Sequence, residues 1–238
     1  MSALDLDIPP YLKRTKDNQM PAKPLVYSFT FLKTADSCMY KTYRMYVKKD
    51  VPYVETPEMK WGNDVHTAME HRLGGKPLPE NMRHWEPIVA AYAERGAKPE
   101  MKLGINRTGQ SVGFWGADVF LRGKIDVTIL QNDAAFLPDY KTGNSRYEDS
   151  FELKIQALLL KAVYPHLKRI AGYYAWLKEN RIGQTYDLAD TQSTWAKVNN
   201  KVEHIEDAIA SGDWPKNKTP LCGYCGVKDC ENWFEAKK

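Results

Sequence analysis

The sequence predicts an α+β fold, a mixed sheet with helices packed against it. Three observations lead there. Residues 100–141 read as a meander of short strands separated by turn residues. Helical patterns stand on both sides of that block. A second β-prone stretch, Arg169–Leu177, lies between two further helices.

The chain has 238 residues, 43% of them hydrophobic and 27% charged. That suits one ordinary globular domain with small additions and a core that needs no staples. No apolar run reaches the ~18 residues of a membrane span. The first residues, Met1 to Asp7, carry early acids and no apolar stretch, so no secretion signal is expected. The expected location is the cytoplasm, or the host cytoplasm for a phage-encoded chain. A net charge of +4 permits a nucleic-acid partner without demanding one.

Taken in order, residues 1–26 hold Pro9, Pro10, Pro21 and Pro24 among lysines and polar residues, which predicts an extended arm ahead of one domain over 27–238. Ser28 can cap a helix starting at Phe29, and a second helical piece runs from Cys38 to Val47. Thr56-Pro57 is a capping hydroxyl followed by proline at the first helical position, and Gly74-Gly75 ends that helix. Another helix is expected over Pro79–Arg95.

Four strands follow, Met101–Asn106, Val112–Leu121, Lys124–Gln131 and Ala134–Tyr140, with turns at Thr108-Gly109, Arg122-Gly123 and Asn132-Asp133. A helix spans Tyr147–Tyr164. Gly183-Gln184 can turn the Arg169 strand into a partner at Thr185–Leu188. A last amphipathic helix, Thr191–Ile209, carries Val198, Val202, Ile205 and Ile209 on one face. The tail beyond Trp214-Pro215 is a loop with three cysteines.

Chemistry concentrates in the meander. Asp126 and, 13 residues later, Asp139-Tyr140-Lys141 fall on strands joined by a short turn. Asp139 and Lys141 are i and i+2, so they share a face. Two carboxylates and a lysine suit Mg²⁺ or Mn²⁺ and the charge of a reacting phosphate; an ordinary salt bridge uses the same residues. Gln156 sits in an otherwise apolar helix and needs a partner or faces a site. His66 lies four residues before Glu70 on the Thr56-capped helix, as a metal ligand or as a packed helical residue. Glu100 and Asp118 are further acids near the strands.

The chain has four cysteines, Cys38, Cys222, Cys225 and Cys230. One stands alone near the start and three lie close together near the end. Without a secretion signal a metal or cluster tie between the two regions is expected rather than disulfides. Thiolates serve Zn²⁺ and iron–sulfur centres alike. Tyr40, Tyr43, Tyr46, Trp61, Trp115, Tyr147 and Trp214 either pack or stack on single-stranded bases.

Gly62-x3-His66, Gly123-x2-Asp126, Asp139-Tyr140-Lys141-Thr142-Gly143 and Gln156, in this order, resemble the motifs of the PD-(D/E)XK nucleases. The similarity is to the RecB-type branch, which includes the CRISPR adaptation nucleases and the nuclease domain of AddB. The resemblance implies a restriction-endonuclease-like core with terminal helical and cysteine additions. It implies a Mg²⁺- or Mn²⁺-dependent deoxyribonuclease, an exonuclease on DNA ends or single strands. His66, Asp126, Asp139 and the Tyr140 carbonyl would ligate the metal, Lys141 would be the catalytic lysine, and Gln156 would orient the site or the DNA. Cys38, Cys222, Cys225 and Cys230 resemble the ligands of a 4Fe–4S cluster, with Zn²⁺ as the alternative. Recombination or replication proteins are implied partners and a membrane is not. The rival readings are a catalytically silent DNA-binding module and a zinc-stabilised subunit of a recombination complex. The family's Gln-x3-Tyr pattern is interrupted, since Leu160 stands where tyrosine is usual.

Overall fold

A computed structural model describes residues 24–236, so nearly all of the arm predicted over 1–26 lies outside the described residues. The chain divides into two compact units. One holds Val26–Phe29 and Glu55–Trp195; the other holds Thr30–Val54 and the chain from Ala196 onward.

The first unit carries the sheets. Helix α3 (Pro57–Leu73) begins where the sequence predicts, with the Thr56 hydroxyl accepting from Met59 N–H at 3.2 Å. The predicted Pro79–Arg95 helix is a 3₁₀ turn, Glu80–Trp85, leading into α4 (Glu86–Glu94). Strands β1 (Met101–Ile105), β2 (Ser111–Val112) and β3 (Leu121–Ile125) form an antiparallel sheet in the order β2-β1-β3. Strands β4 (Ile129–Gln131), β5 (Ala134–Lys141), β6 (Arg169–Trp176), β7 (Arg181–Ile182) and β8 (Tyr186–Asp187) form a mixed sheet. Its central pair, β5 and β6, is parallel, and β4, β7 and β8 run antiparallel to their neighbours. Helix α5 (Phe151–Val163) links β5 to β6 and packs on strands of both sheets.

Two strand expectations need correction. Val112–Leu121 is not one strand: Gly113 and Gly116 close a turn, with Gly116 N–H bonded to the Gly113 carbonyl at 2.8 Å, and β3 starts only at Leu121. Arg122-Gly123 is not a turn but the middle of β3. A side chain on Gly123 would put its Cβ 2.9 Å from Leu159 Cδ1 of α5, so the glycine serves close helix–strand packing. Lys124–Gln131 likewise splits into the end of β3 and β4, leaving Asp126 in the break between sheets.

On one face of the mixed sheet, Val65 and Met69 of α3 and Val89 and Tyr92 of α4 bury against Tyr140, Tyr173 and Ala175. The other face receives α5. By strand alternation β5 therefore sends Tyr140 into the apolar core and Asp139 and Lys141 toward α5.

The second unit contains most of α1 (Phe29–Ser37), α2 (Met39–Thr42) with a π-helical turn (Tyr43–Val47), most of α6 (Thr191–Ser211) and a 3₁₀ turn (Pro220–Tyr224). Val198, Val202 and Ile205 of α6 are buried as predicted, with Ala208 rather than Ile209 completing the stripe. Buried Arg44 bonds Asp50 at 2.6 Å and Asp229 at 2.9 Å, tying α2's extension to the tail. Tyr43 stacks on Trp214 and Tyr46 on Phe31, so these two tyrosines are packing residues.

Candidate active site

The site forms at the C-terminal end of β5. Strand β4 covers β5 only as far as Phe136, so beyond it one edge of β5 has no partner strand among the described residues. Pro138 lies on that stretch and has no N–H to leave unpaired. Tyr140 N–H instead donates to Asp126 Oδ2 at 3.0 Å. In an extended strand the N–H and C=O of one residue point to the same edge, so the Tyr140 carbonyl faces the Asp126 side as well. The acid in the break after β3 is thus fixed by the backbone of β5.

Asp126 Oδ1 lies 3.1 Å from His66 Nδ1. Helix α3 reaches this position because Gly62 has no side chain: a Cβ there would stand 3.3 Å from Thr142 Oγ1. Burial pulls the His66 pKa down, but the Asp126 hydrogen bond and the charges of Asp126 and Asp139 outweigh it, and the net shift is upward.

Asp139 is almost fully buried, at 3% side-chain exposure. Its Oδ1 accepts from Gln156 Nε2 at 2.7 Å, which gives that buried amide of α5 its partner. Its Oδ2 sits 2.6 Å from Lys141 Nζ as an ion pair without a well-aligned hydrogen bond. Desolvation pushes Asp139 up to about 7; Lys141 opposes this, and the charges of Asp126 and Glu152 add to it. Lys141 also bonds Glu152 Oε2 at 2.8 Å and lies 5.1 Å above the Tyr174 ring. Burial lowers the Lys141 pKa, but Asp139 and Glu152 more than reverse that, and the ammonium stays protonated.

Glu152 and Tyr174 are the members that sequence reasoning missed. Glu152 had a signal, since it stands one helical turn before Gln156 on the same face. Tyr174 is the register partner of Asp139 across the β5–β6 pair, which only the pairing reveals. Glu100 pairs instead with Lys102 and Lys124, Asp118 is exposed, and Leu160 is fully buried. Tyr164 ends α5 with its hydroxyl 3.4 Å from Lys98 Nζ.

The donor set fits a hard divalent cation. Asp126 is close enough for its charge to disfavour ionisation of Asp139, the backbone carbonyl faces the same side, and Asp139 Oδ2 has spare acceptor capacity. Each acid is nevertheless engaged with protein donors, and no three His, Cys, Asp or Glu side chains among the described residues stand together as a ready metal cage. The same holds for Cys38, Cys222, Cys225 and Cys230, which are all free thiols lining one cavity of the second unit. Cys222 Sγ accepts from Thr219 N–H at 3.3 Å, and Lys41 and Lys216 line the same cavity. No helix among the described residues is long and apolar enough to cross a membrane.

Comparison with known proteins adds three findings. The crystal structure of SSO0001 superposes with a TM-score of 0.49 and 14% identity, covering 94% of this chain and 91% of that one. The Gene 69 protein of Mycobacterium phage L5 is 31% identical over 112 residues, which is 45% of this chain and 38% of that protein, so the alignment spans well under half of the phage protein. The profile of the PD-(D/E)XK nuclease superfamily matches residues 80–230, a span that holds Asp126, Asp139, Lys141, Glu152 and Gln156. That match covers more than half of the chain and agrees with the acid–acid–lysine geometry at the end of β5; the chain belongs to the PD-(D/E)XK nuclease superfamily.

Proposed function

We propose that the chain is a Mg²⁺- or Mn²⁺-dependent deoxyribonuclease of the RecB-type branch, acting as an exonuclease on DNA ends or single strands. One observation carries this reading: Asp126, Asp139 and Lys141 are linked side by side, Asp126 through the Tyr140 amide and Asp139 through the 2.6 Å ion pair. His66, Asp126, Asp139 and the Tyr140 carbonyl would hold the ion. When bound, such an ion supplies a water of lowered pKa and offsets charge on the phosphate.

The chain's own residues do the rest. Lys141, kept protonated, offers a fixed positive charge to the phosphate oxygens and does not act as a base. Gln156 locks the Asp139 carboxylate in one rotamer. His66 Nδ1 faces Asp126 Oδ1 at 3.1 Å and, once deprotonated, would give its lone pair to the ion that Asp126 holds. Glu152 holds the lysine from the helix side.

The same reading assigns Cys38, Cys222, Cys225 and Cys230 to a 4Fe–4S cluster, with Zn²⁺ as the competing occupant. Its support is that all four line one cavity and that thiolates serve both kinds of centre. Recombination or replication partners rest on the resemblance alone.

Cleavage of end-labelled single- and double-stranded DNA, with Mg²⁺, Mn²⁺ or chelator, tests the reading. The wild type should release label only with metal, while Asp126→Asn and Lys141→Ala should fall by about a thousandfold or more. Wild-type rates in both variants would remove the nuclease assignment.

A further inference from the structure

We propose that a groove beside the end of β5 is a base-stacking subsite for single-stranded nucleic acid, resting on the nuclease reading above. The groove is lined by Trp61 of α3, His84 and Trp85 of the 3₁₀ turn, Thr142 and Gly143 of the β5 exit, and Lys178. It is continuous with the catalytic strand, because Thr142 and Gly143 directly follow Lys141. Gly143 lies within roughly 7 Å of Lys141 along the chain. A nucleotide next to a phosphate held at the end of β5 is within reach of the groove.

The lining is built for ring faces. Trp85 is buried and fixed by its indole N–H to the Leu177 carbonyl at 3.1 Å. On this floor stand two solvent-facing rings: Trp61, 39% exposed and 6.4 Å from Trp85 at 49°, and exposed His84, 4.3 Å from Trp85 at 50°. A large indole left open beside a catalytic strand calls for an occupant, and a Cβ built on Gly143 meets nothing within 4 Å, so the floor is clear there. The groove's charges, Lys178 against Glu58, cancel. It is therefore not a track for phosphates; flat aromatic bases match it. Paired bases in a duplex keep their faces stacked on one another, so single strands are the class that fits.

The test reads binding, not cleavage. Fluorescein-labelled dT12, rU12 and a blunt DNA duplex are titrated by anisotropy in chelator, with circular dichroism confirming the fold of each variant. Trp61→Ala and His84→Ala should each weaken dT12 binding about fivefold or more, the lower end for one base on an aromatic ring. Duplex binding should change less than twofold, and Trp61→Phe should restore most of the dT12 affinity. Equal losses for rU12 and dT12 mean the rings read bases whatever the sugar; a loss for dT12 alone narrows the ligand to DNA. If His84→Ala and Trp61→Phe fold and Trp61→Ala does not, the His84 result decides. Wild-type dT12 affinity in the ring variants, or equal losses for duplex, overturns the subsite. Ring-dependent binding by a chain that cuts nothing would sink the nuclease reading alone; cleavage with ring-independent binding would sink the subsite alone.

Discussion

Asp139→Asn should make the protein more stable at pH 8 while abolishing cleavage. The acid sits in a nearly dry position with like charges nearby, and its pKa climbs from 3.8 to about 7. In the unfolded chain it ionises near 3.8. As pH rises from there, the unfolded state releases its proton first, so native stability is lost through the window up to about 7 and stays lost above it. At about 1.4 kcal/mol per unit this sets a ceiling of about 4 kcal/mol. Local relaxation and the severed Lys141 contact reduce it, and a net gain of about 2 kcal/mol is expected for the variant at pH 8. With Oδ1 kept as the acceptor for Gln156 Nε2, the asparagine NH2 faces the Lys141 ammonium, which shifts toward Glu152, its remaining partner at 2.8 Å. Thermal melts in chelator at pH 4 and pH 8 measure the effect. At 2–4 °C per kcal/mol, the pH 8 melt should rise by about 4–8 °C, with little change at pH 4. A variant that melts lower than wild type at pH 8 would refute the reasoning, because Asp139 would then be a net stabilising anion.

Glu152→Gln removes one of the two carboxylates on Lys141 while keeping its shape; cleavage should fall about tenfold, the equivalent of about 1.4 kcal/mol. Because the Glu152 charge also helps raise Asp139, the acid limb of the pH–rate profile should move to lower pH. An unshifted profile at full rate would return Glu152 to the role of a surface partner. Gly123→Val should destabilise by about 1–3 kcal/mol through the clash with Leu159, read as a lower melting temperature; an unchanged melt would mean α5 has room to move. Anaerobically purified protein should be brown, absorb near ~400 nm and contain iron and sulfide, and Cys225→Ala should lose the colour and expose residues 222–236 to protease. Colourless protein with one zinc would replace the cluster by zinc, and four titratable thiols without metal would discard both.

Much of the site was legible because it is local. Asp139 and Lys141 share a face by strand alternation, Thr56-Pro57 marks the start of the helix that carries His66, and Gln156 betrays itself as the polar residue on an apolar face. What failed was tertiary. Gly123 looks like a turn residue in sequence, and only the approach of Leu159 explains it as a packing glycine. The hydrophobic run after Val112 reads as a strand until Gly113 and Gly116 fold it back. That the strands belong to two sheets, with Asp126 in the gap, depends on pairings no window of sequence contains. Glu152 and Tyr174 join the site through α5 and β6, each brought in by packing.

The half-covered edge of β5 has one more consequence. An open strand edge is a template on which another chain can add itself, and globular proteins guard such edges with proline and charge. Here Pro138 withholds a donor and Asp126 occupies the Tyr140 amide, so the residues that make the site also seal the strand. Losing Asp126 to an apolar residue would thus remove one acid of the candidate site and unguard the strand in the same step. An acceptor at position 126 therefore keeps the Tyr140 amide from offering itself to another strand.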